Sequence, residues 1–183
     1  MNLEEIKKTQ EILRKGGIIL FATDTCWAIG CDATNEHAVK QLSSKLSRKG
    51  PFVCLIPTSD WLSTYVVKVP DIAWDIVDYS ESPLTVIYDK GKNLAPEVMG
   101  QDGSIALRVT KDPFCKDLMM RFQKPLVATL IGDDQRQFHK ISQELLSQVD
   151  YVVPFRKEEK VTDPPSTIMK LSENGEVKFL RKA

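Results

Sequence analysis

The stretch Gly16-Gly17-Ile18-Ile19-Leu20-Phe21-Ala22-Thr23-Asp24-Thr25 decides how the chain is read. Before it, Leu3, Ile6, Ile12 and Leu13 recur at roughly helical spacing, and the paired glycines stop that helix. Residues 18–22 form a near-continuous apolar run rich in β-branched side chains, which predicts a strand buried on both faces. Thr23-Asp24-Thr25 then closes the strand with polar groups.

Helix followed by strand recurs along the rest of the chain. Thr34 or Asn35 can cap a helix to about residue 47, with Ala38, Val39 and Leu42 inward. Residues 52–56 read as a strand, and Ser59 or Asp60 opens a short helix through Tyr65. A further helix after Pro70 is expected to run to about Tyr79, with Ile72, Ile76 and Val77 inside. Strands are expected at 84–88 and 104–109, with a Gly-, Lys- and Asn-rich surface loop between them. A helix over 113–122 leads to a strand at 126–129, and a helix over 138–148 to one at 151–153. Two strands, 166–171 and 177–180, end the series around the turn Glu173-Asn174-Gly175. The pattern predicts an α/β layered fold with a mixed sheet, and residues 1–183 read as one domain.

Composition narrows the function classes. Of 183 residues 42% are apolar, enough for a sizeable core, and the 25 Lys and Arg balance 25 Asp and Glu. A surface built wholly for nucleic acid is excluded, although a local basic patch is not. No run approaches the ~20 apolar residues of a membrane span, and the first residues lack the apolar centre of a signal peptide, so a cytoplasmic location is expected. Cys26, Cys31, Cys54 and Cys115 form no CxxC pair, and only His37 and His139 could join them, so no metal site is expected. The phosphate-loop, GxGxxG and GxSxG patterns are absent.

What remains is polar clusters near strand ends. Thr23 and Thr25 lie two apart, so an extended chain would put both hydroxyls on one face and Asp24 on the other. A capping turn explains them equally well. Lys40, Lys45, Arg48 and Lys49 put four cations into ten residues, as a phosphate clamp or as a solvated helix end. Ser104 and Arg108 share a strand face with only Ala106 between them, which leaves room for an anion or for an acid from a neighbouring strand. Pro164-Pro165-Ser166-Thr167 sets two hydroxyls at a strand start, and Arg181 lies near the end. Cations and hydroxyls without an evident base suit the positioning of a polyphosphate and a carboxylate, so no residue is assigned as catalytic.

In order, these clusters resemble the YrdC/YciO family, whose active members are threonylcarbamoyl-AMP synthases. The family opening, Pro-Thr-Asp-Thr-x-Tyr-Gly-Leu-Gly-Cys-Asp-Ala-Thr-Asn, is similar to residues 22–35, where Trp27-Ala28-Ile29 replaces Tyr-Gly-Leu. Its Lys-x-Arg falls on Leu46-Ser47-Arg48, its Pro-Leu-Thr on Pro83-Leu84-Thr85 and its Val-Arg on Leu107-Arg108. Its Pro-Ser-Thr-Val is similar to Pro165-Ser166-Thr167-Ile168, and its closing Leu-Arg to Leu180-Arg181. The family's Ser-Ala-Asn has become Leu130-Ile131-Gly132, followed by Asp133 and Asp134.

The resemblance implies a YrdC/RibB-like twisted mixed sheet flanked by helices, with a concave cationic cavity. It implies a nucleotidyltransferase that makes threonylcarbamoyl-AMP and pyrophosphate from L-threonine, bicarbonate and ATP with Mg²⁺. Partner proteins then pass the threonylcarbamoyl group to tRNA. By position, Thr25, Arg108 and Ser166 would hold the threonine moiety, and Arg48, Ser104 and Arg181 the nucleotide. Thr23, Lys45, Lys49, Thr129 and Thr167 are further candidates. The alternative reading is a catalytically impaired YciO-like paralogue that binds nucleotide or double-stranded RNA.

Overall fold

The computed structural model describes residues 3–129, 137–159 and 165–182. Helix α1 (Leu3–Arg14) buries Ile6, Thr9, Gln10 and Leu13 and carries Glu4 and Glu5 in its first turn, where the helix dipole favours acids. It ends at Gly16, whose φ of +79° is left-handed and suits glycine. Strand β1 (Ile19–Ala22) is buried at every position, as its apolar run predicts. A tight bend returns the chain as β2 (Trp27–Gly30), a strand the sequence pattern does not announce.

Asn35 caps α2 (Glu36–Lys45) by accepting a hydrogen bond from the Ala38 amide at 3.1 Å. After β3 (Val53–Ile56), α3 (Leu62–Tyr65) and α4 (Ile72–Asp78) cover one side. Within α4 the expected packing is corrected: Ala73 is the buried residue, whereas Ile72 is 47% exposed. Strands β4 (Leu84–Tyr88) and β5 (Ile105–Val109) precede α5 (Pro113–Phe122), which Asp112 caps and Gln123 ends in a left-handed conformation. Strand β6 (Leu126–Val127) follows.

The helix expected over 138–148 is broken. A 3-10 turn at Phe138–Lys140 is followed by α6 (Gln143–Leu146), because Ser142 caps a new helix start by accepting from the Leu145 amide. Strands β7 (Tyr151–Val152), β8 (Thr167–Leu171) and β9 (Val177–Arg181) complete the fold.

The strands form two sheets rather than one. A three-stranded sheet runs β2-β1-β7, and a mixed six-stranded sheet runs β6-β3-β5-β4-β8-β9. Bridges Ile29–Thr129 and Asp32–Leu126 join them, with Ile29 and Thr129 exchanging both backbone hydrogen bonds at 3.1 and 3.0 Å. Gly30 makes this junction possible, since a β-carbon there would lie 1.7 Å from the Val127 carbonyl oxygen.

One face of the large sheet packs Cys54, Ile56, Val86, Tyr88, Ile105, Leu107, Met169 and Leu171 against α2 and its neighbours. A second cluster packs Ile6 and Leu13 of α1 and Phe114, Leu118 and Phe122 of α5 against Phe21, Leu55 and Leu126. Together they bury the apolar surface that drives folding and hold the polar row of the sheet rigid.

Candidate active site

Strand register builds the site. Pairing aligns Leu55 with Arg108 and Val86 with Leu107, so the next pair is Thr85 with Arg108. Thr85 in turn aligns with Ile168, and Ile168 with Arg181. Residues opposite one another share a sheet face. Arg108, Thr85 and Arg181 therefore lie in one row across four strands, roughly 14 Å from end to end at ~4.8 Å per strand.

The β1–β2 bend closes over the Arg108 end of this row. Arg108 donates from Nη1 to the Thr25 hydroxyl at 2.9 Å and from Nη2 to the Thr23 hydroxyl at 3.5 Å. Its Nη2 also lies 3.2 Å from Asp24 Oδ1. The expectation that Asp24 faces away is thus corrected: the segment is bent, not extended, and all three of its side chains converge. The second Asp24 oxygen accepts from the Lys111 amide at 3.1 Å, and the two threonine hydroxyls lie 3.3 Å apart. Arg108 is 6% exposed, and among the described residues its Nε–H has no hydrogen-bond partner. The guanidinium is thus buried, paired in charge with Asp24 and left with one enclosed donor unsatisfied.

Ser166 anchors the other end. Its hydroxyl lies 2.9 Å from that of Thr85, and Arg181 donates to its carbonyl from Nε at 3.1 Å and Nη2 at 2.7 Å. Thr85 is 1% exposed and belongs to this group, although in the sequence only the Pro83-Leu84-Thr85 match points to it. A third pair stands apart: Arg48 donates from Nη1 to the Thr129 hydroxyl at 2.8 Å while lying over the Phe52 ring.

The remaining candidates are placed elsewhere. Ser104 shares the Arg108 face but lies four residues, ~13 Å, along the strand, and its amide donates to Asp102 at 3.0 Å. Hydrogen bonds from the Ser104 side chain and amide hold the Asp102 carboxyl below its ordinary range. Thr167 pairs with Leu84 and so belongs to the opposite face. Lys45 donates to the Gln148 carbonyl at 2.6 Å, a structural tie from the end of α2. Lys49 is exposed beyond that helix, and Lys40 pairs with Glu36 and, at 3.5 Å, Glu97. Three of the four cations are therefore dispersed among separate partners, and Lys49 is exposed. Leu130, Ile131, Gly132, Asp133 and Asp134 lie outside the described residues.

Two further residues touch the bend. Cys26 places its sulfur 3.6 Å from the Thr25 hydroxyl, and burial pushes its thiol pKa up, with the Thr25 hydrogen bond and Arg108 opposing. Arg156 donates to the Thr23 carbonyl at 3.1 Å. All four cysteines are free and buried, and among the described residues no three His, Cys, Asp or Glu side chains converge as metal ligands.

Residues 11–183 match the family model Sua5_yciO_yrdC, described as Telomere recombination. The chain belongs to this family. A Coxiella burnetii protein named threonylcarbamoyl-AMP synthase is 30% identical over 131 residues, covering 69% of each chain. The E. coli YciO structure superposes with a TM-score of 0.83 at 22% identity, covering 99% of this chain and 90% of that one. P. abyssi Sua5 complexed with L-threonine gives 0.82 at 19% identity, covering 99% of this chain but 55% of its own. These structural likenesses show the shared fold, and the chain spans little more than half the length of Sua5.

Proposed function

We propose that this protein is a threonylcarbamoyl-AMP synthase that joins L-threonine, bicarbonate and ATP into threonylcarbamoyl-AMP and pyrophosphate. The observation that carries the reading is the buried Arg108, held by Thr23, Asp24 and Thr25 and sharing a sheet face with Thr85 and Arg181. The named Coxiella burnetii relative supports it.

In this reading the threonine carboxylate lies at the Arg108 guanidinium beside the Thr25 hydroxyl, and the Ser166 hydroxyl faces the rest of the amino acid. Arg181 and Arg48 receive the nucleotide. The threonine amine attacks bicarbonate carbon and water leaves. The resulting carbamate oxygen attacks the α-phosphorus, and the bond to pyrophosphate breaks. Protein donors serve by orienting the two anions and offsetting their repulsion. Mg²⁺ would enter with ATP and would offset the charge of its phosphate oxygens.

The product is handed to proteins that modify tRNA, in the cytoplasm. Among the described residues no helix is long and apolar enough to cross a membrane. A double-stranded RNA surface is less favoured, since Lys40, Lys45 and Arg48 already have protein partners. Pyrophosphate release with ATP, Mg²⁺ and bicarbonate, with and without L-threonine, tests the proposal. Threonine-dependent release is expected; equal release in both mixtures would exclude it.

A further inference from the structure

We infer that Arg156 is a positioning residue for the bend between β1 and β2, and through that bend for the amino-acid substrate. The substrate half rests on the reading of the Arg108 pocket given above.

Arg156 lies beyond β7 and joins separate parts of the chain. Its Nη1 donates to the Thr23 carbonyl at 3.1 Å and to Asp112 Oδ2 at 2.7 Å, and its Nε donates to Glu159 at 2.7 Å. Asp112 is itself committed, because its other oxygen caps α5 by accepting from the Cys115 amide at 2.8 Å. Phe155 stacks on Phe114 of α5 with centroids 5.3 Å apart, and Lys157 lies over Phe138 at 4.8 Å. Arg156 holds this place with a φ of +62°, a region that non-glycine residues occupy when their contacts fix them there.

The ion pair fastens Arg156, whose side chain is 23% exposed, to an Asp112 side chain that is 2% exposed, and so ties it to α5 but not to the bend. The Thr23 carbonyl makes the difference. Strand β1 ends at Ala22, so the carbonyl lies outside the ladder, and among the described residues Arg156 is the donor that satisfies it. Two guanidinium groups thus grip Thr23: Arg108 reaches its hydroxyl from the sheet, and Arg156 holds its backbone from the far side. The Thr23 hydroxyl also accepts from the Thr25 and Cys26 amides at 3.2 Å each, so the backbone position of Thr23 sets where the Thr25 hydroxyl and the Cys26 sulfur stand. Releasing the carbonyl should loosen the bend while leaving the Arg48–Thr129 pair untouched.

The test uses the full chain with Arg156→Ala and Arg156→Lys. Cys26 reports on the bend, since it is 9% exposed while Cys31, Cys54 and Cys115 are 0% exposed. Iodoacetamide labelling followed by mass spectrometry should show Cys26 reacting about 10-fold faster in Arg156→Ala, with the other three unchanged and Arg156→Lys intermediate. L-Threonine affinity by calorimetry should fall about 10- to 100-fold, the scale on which small misplacements act, with KM for ATP within twofold. An unchanged Cys26 rate, or an equal acceleration of all four cysteines, would overturn the inference. Should the wild-type protein bind no threonine, the pocket reading and the substrate half fall together, while the Cys26 rates still decide whether Arg156 holds the bend.

Discussion

Replacing Arg108 with alanine should cost both stability and threonine binding, and a second substitution should separate the two losses. The Arg108 and Asp24 side chains are 7% and 3% exposed. Alanine at 108 leaves the Asp24 carboxylate nearly dry, with the Lys111 amide still donating to it. Breaking a buried pair from one side typically costs about 3–5 kcal/mol. At ~2–4 °C per kcal/mol for a chain of this size, Tm should fall by roughly 6–20 °C. Asp24→Asn in the same background removes the stranded charge and should restore about half of that loss or more. Threonine binding should stay absent in both proteins, because the donor is gone. Circular dichroism melts and calorimetry with L-threonine read the two quantities. An unchanged Tm in Arg108→Ala, or no recovery on adding Asp24→Asn, would refute the electrostatic reasoning. Threonine affinity equal to wild type in Arg108→Ala would refute the site assignment.

Other substitutions probe the remaining parts. Gly30→Ala must push its β-carbon off the Val127 carbonyl, so urea denaturation should show a loss of about 1–3 kcal/mol or more; a neutral result would mean that the sheet junction is looser than 1.7 Å implies. Ser166→Ala removes the partner of the buried Thr85 hydroxyl, and a loss of about 1–3 kcal/mol in the same assay is expected. Arg181→Ala should raise KM for ATP about 10-fold or more, whereas Ser104→Ala, whose hydroxyl serves Asp102, should leave it within twofold; steady-state kinetics compares them. Burial, aided by Asp32 and Cys54, pushes Tyr65 from 10.0 up to about 12. The folded state then holds a proton that the unfolded state releases, so this contribution is intact below pH 10 and fades as pH rises toward 12. Across that window the urea midpoint of wild type should fall relative to that of Tyr65→Phe, and a constant difference would refute the shift.

Much of this arrangement is legible in the sequence, for physical reasons that differ by element. The run before Thr23 has no polar residue to place outward, so a doubly buried strand is its only economical form. The alternation of Ile105, Leu107 and Val109 with Ser104, Ala106 and Arg108 by itself assigns Arg108 its face. Strand β2 is hidden because Trp27-Ala28-Ile29-Gly30 has no alternation; its extended form depends on β1 beside it and on Gly30 admitting Val127. The break before α6 hinges on one serine capping locally, which competes poorly with a helical pattern in a sequence reading. Ile72 faces outward although its spacing is helical, since the neighbouring Ala73 takes the buried position of α4.

Within the site, tertiary contacts outweigh local pattern. Asp24 turns inward because a buried arginine draws its carboxylate, and an extended-chain argument places it on the wrong side. Thr85 and Ser166 meet across 81 residues, through a strand pairing that no short motif encodes. Arg156 carries no signal at all: it stands in a charged segment that reads as an ordinary loop, and its role depends on where β7 delivers it.

The proposed function requires this fold to build a carbamoyl-adenylate from three separate substrates. Purified protein incubated with ¹³C-bicarbonate, L-threonine, ATP and Mg²⁺ tests it by mass spectrometry of the nucleotide products. One ¹³C atom in threonylcarbamoyl-AMP, absent when any substrate is omitted and absent from Arg108→Ala, is the predicted result. ATP bound or hydrolysed with no labelled adenylate in any mixture would contradict it.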